Sequence, residues 1–199
     1  MRGRTDVSKH SNFPRNKHDQ YLTPYEAALP LRRFLEGVET FAEPCRADGR
    51  LMRWVESFDL SCIHSGDIQD GVDALTDPWL EHSRPDVIIT NPPYTWEILE
   101  AMIKRFMRTA PTWLLLEIDF AFNLQSASFM PMCTDIVPIG RVRWFAETEH
   151  DSKDNFAWFR FHHQHRRGPV MHIMQLIDKR RIRKMARPEI EFPEFENAA

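Results

Sequence analysis

Asn91, Pro92, Pro93 and Tyr94 come directly after the apolar run Val87, Ile88, Ile89 and Thr90. Two successive prolines remove two backbone donors and fix φ, so the chain between Asn91 and Tyr94 is stiff and its carbonyls are left to accept from another group. The β-branched residues before them, entered through Pro85 and Asp86, make a short strand buried on both faces. A rigid loop bearing an amide and a phenol at the carboxyl end of such a strand sits where open α/β sheets bind ligands. By itself the tetrapeptide also suits a stiff turn, and its companions have to decide.

Those companions are other polar loops: "AEPCRADG" (42–49), "SGDI" (65–68) and "VDALTDPW" (72–79). Asp67 and Asp73 each suit an exposed turn as well as a ligand contact. In "FHHQHRR", His163 and His165 lack the further spaced ligands that a metal needs, so a solvated hairpin tip is expected and no metal. Arg166 and Arg167 suit a phosphate or a solvated face. Phe156 and Trp158 suit the core or a wall on which a base stacks.

The elements that must position these loops emerge from periodicity. "TPYE" begins a helix, with Thr23 as a cap, Pro24 in the first turn and Glu26 completing a capping box. Ala28, Leu31 and Leu35 share a face of it; Pro30 kinks it or starts a second helix, and Gly37 ends it. "TFAEPCRADG" reads as a strand running into a loop, and Leu51, Trp54, Val55 and Phe58 recur at helical spacing. "LSCIHSGDI" is a second strand, Leu99, Met102, Ile103 and Phe106 a helix face closed by Pro111, and "WLLLEI" a further buried strand. Strands alternating with helices imply βαβ units and a mostly parallel sheet. Beyond Ile136, "RVRWFA", "NFAWFRFHH" and "VMHIMQL" are strand-like without helices between them, which predicts an antiparallel edge.

The chain of 199 residues and 23.6 kDa has room for about one domain, with net charge -3 and pI near 6.3. It divides into a flexible basic arm (1–19), one domain (20–178) and a charged tail (179–199). The acidic balance excludes a protein coated in positive charge but leaves room for a local basic stripe that meets phosphate. Cys45, Cys62 and Cys133 are odd in number and widely spaced, which points to a reducing compartment. No apolar stretch approaches a membrane span of roughly 20 residues, so a cytoplasmic protein without a membrane partner is expected.

In their order along the chain, "AEPCRADG", "SGDI", "VDALTDPW" and "NPPY" resemble the motifs of the S-adenosylmethionine-dependent N6-adenine DNA methyltransferases, the small phage and bacterial members being nearest in length. "YLTPYE" is similar to that family's cofactor-closing motif and "KDNFAWFRF" to its late hairpin. The resemblance covers about residues 20 to 176. It implies an α/β, Rossmann-like methyltransferase fold with a mostly parallel central sheet, flanking helices and an antiparallel C-terminal hairpin. S-adenosylmethionine is the implied cofactor, and DNA with a flipped adenine the implied partner, in the cytoplasm of a bacterium or an infected host.

Carried over residue by residue, the resemblance assigns Asn91, Pro92, Pro93 and Tyr94 to catalysis. Tyr21, Thr23, Pro24, Glu43, Pro44, Cys45, Ala47, Gly49, Asp67, Ile68, Asp73 and Ala74 fall to the cofactor, and Tyr94, Phe156 and Trp158 to the substrate. Within that set Glu43 faces the cofactor ammonium, Asp67 the ribose hydroxyls and Asp73 the adenine amine. Ala47 departs from the pattern, standing where the first loop glycine is usual, with Arg46 before it. With only 125–135, 147–155 and the two tails left to meet a groove, loose or very short sequence specificity is expected. The alternatives are an RNA adenine or protein glutamine methyltransferase, or a catalytically silent fold that binds nucleic acid. A homodimer stays open.

Overall fold

The computed structural model describes residues 22–144, 150–175, 178, 179 and 182. Its centre is a seven-stranded sheet ordered β2-β1-β3-β4-β6-β5-β7. The strands are β1 (Thr40–Glu43), β2 (Ser61–Ser65), β3 (Val87–Thr90), β4 (Thr112–Glu117), β5 (Cys133–Arg141), β6 (Asn155–Phe161) and β7 (Val170–Met171). The first four pair in parallel, and β6 lies antiparallel to both β4 and β5. This is the mostly parallel α/β sheet with an antiparallel C-terminal pair that the alternation of patterns predicted.

Each central strand feeds two cores, because successive side chains point to opposite faces. Val87 and Ile89 join Phe41, Trp113, Leu115, Phe156 and Trp158 on one face. There they are covered by Ala27 and Ala28 of α1 (Tyr25–Ala28), by Leu31 and Leu35, and by Leu51, Trp54 and Val55 of α2 (Arg50–Glu56). Ile88 joins Leu114, Leu116, Phe159 and Phe161 on the other. That face packs on Leu80 of α3 (Trp79–Ser83) and on Leu99, Met102, Ile103, Phe106 and Met107 of α4 (Trp96–Thr109). The amphipathic stripe read at 99, 102, 103 and 106 is therefore the buried face of α4.

Three local expectations are corrected. Thr23 is buried and caps nothing: Pro24 occupies the N-cap of α1 in an extended conformation with no side-chain cap. What fixes this segment is indole chemistry, since Trp54 Nε1 donates to Thr23 O at 3.2 Å and Trp158 Nε1 to Ala27 O at 2.7 Å. Two buried indoles need acceptors, and helix-start carbonyls supply them. The kink at Pro30 becomes a tight 3-10 run over Leu29–Phe34 with the proline in its first turn.

The second correction is that the strand expected at "RVRWFA" ends at Arg141 and lies earlier, over Cys133–Arg141. Pro138 and Gly140 disguise it in the sequence. The ladder absorbs them with a register shift between Pro138 and Gly140, the glycine taking φ 71. The third is that β7 pairs parallel to β5, so the last strand is not antiparallel. Of the sequence-level domain divisions, 1–19 lies outside the described residues, as does most of 179–199.

Candidate functional site

From β1 the chain crosses to β2 on one side, and it returns through α3 to β3 on the other. The crevice past the carboxyl ends of β1 and β3 is thus the topological switch point of the sheet, where a ligand meets the fewest intervening connections. Glu43 and the loop after it form one wall. Asn91 to Tyr94 form the other.

On the β1 side, Glu43 is 1% exposed, and its Oε2 is buried with no hydrogen-bond partner among the described residues. Burial pushes its carboxyl well above the usual carboxylate range; Asp48 and Asp67 add to this, while Arg46 and the Met52 amide oppose it. The loop after β1 folds back on β2: Arg46 N donates to Gly66 O at 2.9 Å and Ala47 N to Asp67 Oδ2 at 2.8 Å. Gly66 is required there, since a Cβ would lie 2.5 Å from Val72 Cγ1. Both Asp67 oxygens have backbone partners, the second accepting from Gln69 N at 2.9 Å. Arg46 pairs with Asp70 across the mouth of this loop.

Ala47 adopts φ 49 and Gly49 φ 76. The left-handed turn that a glycine takes freely is therefore kept, with an alanine inside it. Replacing Ala47 with glycine is expected to stabilise the protein by about 0.5–1 kcal/mol, even after glycine's greater freedom in the unfolded chain. A thermal melt would rise by about 1–4 °C; a lower midpoint would mean that the Ala47 methyl is needed for packing.

The remaining cofactor candidates lie in the loops after β1 and β2 and at the start of α1. Pro44 is buried, and Cys45 Sγ lies 3.9 Å from Met102 Sδ, its thiol pushed up to about 12 chiefly by burial. Ile68 is 70% exposed beside Asp67. Asp73 Oδ1 accepts from Leu75 N at 2.9 Å, and Ala74 is buried with its carbonyl held by Arg105 Nη1 at 3.0 Å. Thr23 and Pro24 lie at the start of α1, and Tyr21 falls outside the described residues.

On the β3 side, the Tyr94 hydroxyl donates to Asn91 Oδ1 at 2.8 Å. Pro92 is buried and Pro93 half-buried, and α4 begins two residues after Tyr94, so the turn is clamped from both ends. The Tyr94 ring lies 6.3 Å from that of Phe156, which in turn meets Trp144 edge-on at 5.0 Å. Phe156 therefore stands beside the turn. Trp158 is fully buried and hydrogen-bonded to Ala27, which puts its ring in the core; a base-stacking role there loses its footing.

Two participants escape the sequence. Trp144 reads there as one more strand residue, and only its contact with Phe156 brings it here. Glu117 pairs with Phe156 at the carboxyl end of β4. Burial raises its carboxyl, with Asp154 and Asp119 adding to the effect. As the last residue of an apolar run, it carries no signal that separates it from a strand end.

No protein-family model and no curated protein matches the chain. Solved structures do. A Listeria monocytogenes protein described as a class I S-adenosylmethionine-dependent methyltransferase superposes with TM-score 0.53 at 14% identity, over 80% of this chain and 64% of its own. The fold is that of a Rossmann-like methyltransferase. The M protein of the EcoKI type I restriction enzyme aligns at TM-score 0.47 and 13% identity, over 81% of this chain and half of its own. Precorrin-6y C5,15-methyltransferase from Geobacter metallireducens gives 0.45 at 11% identity, over 75% and 93%. The chain thus spans under two thirds of the first two.

Among the described residues no group of His, Cys, Asp or Glu could hold a metal ion. His163 and His165 instead bond the carbonyls of Met107 and Gly168. No described helix is long and apolar enough to cross a membrane.

Proposed function

We propose that the protein transfers the methyl group of S-adenosylmethionine to the N6 amine of adenine in DNA. The observation that carries this reading is the Asn91-Pro92-Pro93-Tyr94 turn at the switch point, its amide oxygen oriented by the Tyr94 hydroxyl at 2.8 Å.

The exocyclic amine of adenine is a poor nucleophile because its lone pair is delocalised into the ring. Asn91 Oδ1 and the Pro92 carbonyl, fixed by the prolines, accept its two hydrogens and favour a pyramidal nitrogen with its lone pair free. Tyr94, half-buried at the turn, offers an aromatic face to a base drawn out of the stack, such stacking being worth ~1 to 3 kcal/mol, and the buried Phe156 backs its ring. Flipping also takes the amine out of its pair.

The chain also fits the cofactor. Glu43 Oε2, buried and without a partner among the described residues, suits the ammonium of the methionine portion. Asp67, already tied to Ala47 and Gln69, retains lone pairs for a ribose hydroxyl. Asp73 and Ile68 lie on the same rim for the adenine ring. S-adenosylmethionine supplies a methyl activated on a sulfonium, so positioning does most of what the protein must do. Asn91 Oδ1 and the Pro92 carbonyl would hold the amine while it takes the methyl group, and the proton it then loses would pass to water, since amide oxygens are too weakly basic to keep it.

The test offers labelled cofactor with DNA, RNA and protein pools. Label is expected in DNA as N6-methyladenine, spread over many sites or a very short one in long-read mapping. Label confined to RNA or to glutamine side chains would overturn the DNA assignment, and a fully modified site of several base pairs would overturn the loose specificity.

A further inference from the structure

Away from the switch-point crevice, a groove of about 610 Å³ opens between the segment after β4 and the turn after β6. Phe122, 76% exposed, and Leu124, 92% exposed, line it together with Met130, Pro131, Arg166 and Arg167. The two sides are fastened together, Gly168 N donating to Pro131 O at 3.1 Å and His162 N to Met132 O at 3.0 Å. An exposed phenylalanine and an exposed leucine on a polar surface call for a partner.

The charge says which kind. Arg166 and Arg167 make no ion pair among the described residues, and no described carboxylate lines the groove, so two adjacent guanidinium charges face it without a counter-charge. Arg166 Nη1 is braced by the carbonyls of His163 and His165, which aims the guanidinium without neutralising it. The neighbourhood is electropositive enough that, after burial, His163, Arg160 and His165 hold the His162 imidazole below its usual range.

We propose that this groove is a second polynucleotide-binding site, which takes the DNA strand leading away from the target adenine. The proposal rests on the methyl-transfer function. Arg166 and Arg167 grip phosphates and Phe122 stacks on an unpaired base, the combination by which grooves hold single strands. β4 alone, six residues long, spans about 20 Å, or roughly six nucleotides at ~3.4 Å each. Because enzymes that act on a base take it either from single-stranded DNA or by extruding it from a duplex, a groove for unpaired strand favours single-stranded or locally opened substrate.

Fluorescence anisotropy of the full chain with a labelled single-stranded oligonucleotide tests this. Arg167→Glu and Phe122→Ala are each expected to weaken binding about tenfold, and Arg167→Glu to flatten the slope of log K against log salt by about 1. Both keep wild-type affinity for S-adenosylmethionine. Arg32→Gln, which removes a charge on the opposite face, leaves the oligonucleotide affinity unchanged. Wild-type affinity and slope in both groove variants would overturn the proposal, as would equally tight, equally Arg167-dependent binding of polyglutamate, which would make the groove a site for acidic protein. A wild-type protein that binds the strand through Phe122 and Arg167 but methylates no DNA would sink the reaction and leave the groove standing.

Discussion

Asn91→Ala is expected to lower methyl transfer by on the order of 10² to 10³ while S-adenosylmethionine binding stays within a few-fold of wild type. The size reflects the loss of one preorganised polar contact aimed at charge that develops only in the transition state. The selectivity reflects place: Asn91 stands on the β3 side of the crevice, and the cofactor candidates gather on the β1 side and its rim. Single-turnover transfer and calorimetry with the cofactor measure the two quantities on one preparation. A variant with near-normal turnover would remove the acceptor mechanism. Tyr94→Phe sharpens the test, because it keeps the ring but deletes the hydroxyl that donates to Asn91 Oδ1 at 2.8 Å. A fall of about tenfold or more in kcat, with little change in cofactor affinity, is expected there, since a freed amide samples unproductive orientations.

The turn was legible because prolines announce themselves: no side-chain packing is needed to know that Pro92 and Pro93 stiffen the chain just beyond a buried strand. The parallel sheet was legible for a related reason, since β3 and β4 are apolar on both faces and α4 carries its stripe at helical spacing. Where local rules and tertiary demands diverged, the sequence misled. Thr23 had every local attribute of a cap, yet the helix begins one residue later, with Pro24 at the N-cap, and Thr23 is buried with its carbonyl accepting from Trp54. Pro138 and Gly140 argued against a strand that the sheet nonetheless accepts with a bulge. Trp158 could not be told from Phe156 by type or by strand position; both are buried in one core, and only Phe156 meets the Tyr94 ring. Ala47 looked like a defect in the loop. The backbone keeps its left-handed turn and pins the amide to Asp67, so the substitution alters strain and leaves the architecture in place.

The affinity for S-adenosylmethionine is expected to rise with pH, by up to about tenfold per unit, until Glu43 of the free protein is ionised. The cause is the site's own electrostatics. In the free protein burial, reinforced by Asp48 and Asp67, holds the Glu43 carboxyl well above its usual range, so it is neutral across a window that opens near the ordinary glutamate value of 4.5 and extends upward. An ammonium placed beside it favours the carboxylate, so the complex has the lower pKa, and within the window binding expels one proton. Above the free-protein value the curve flattens, and it turns down once the cofactor's α-ammonium deprotonates near pH ~8. Glu43→Gln should abolish the rising limb and leave weak, pH-independent binding over that range. Stability gives a second reading with its own sign. A carboxyl whose folded pKa is raised contributes stability that is complete below the unfolded value and is lost as pH climbs through the folded one. The free Glu43→Gln protein, with no charge to bury, should therefore melt close to wild type near pH 4.5 and progressively above it as pH increases. Titrations across this range, in buffers of different ionisation enthalpy to count the released proton, decide the matter: a flat wild-type affinity with no proton release would mean that Glu43 does not face the ammonium.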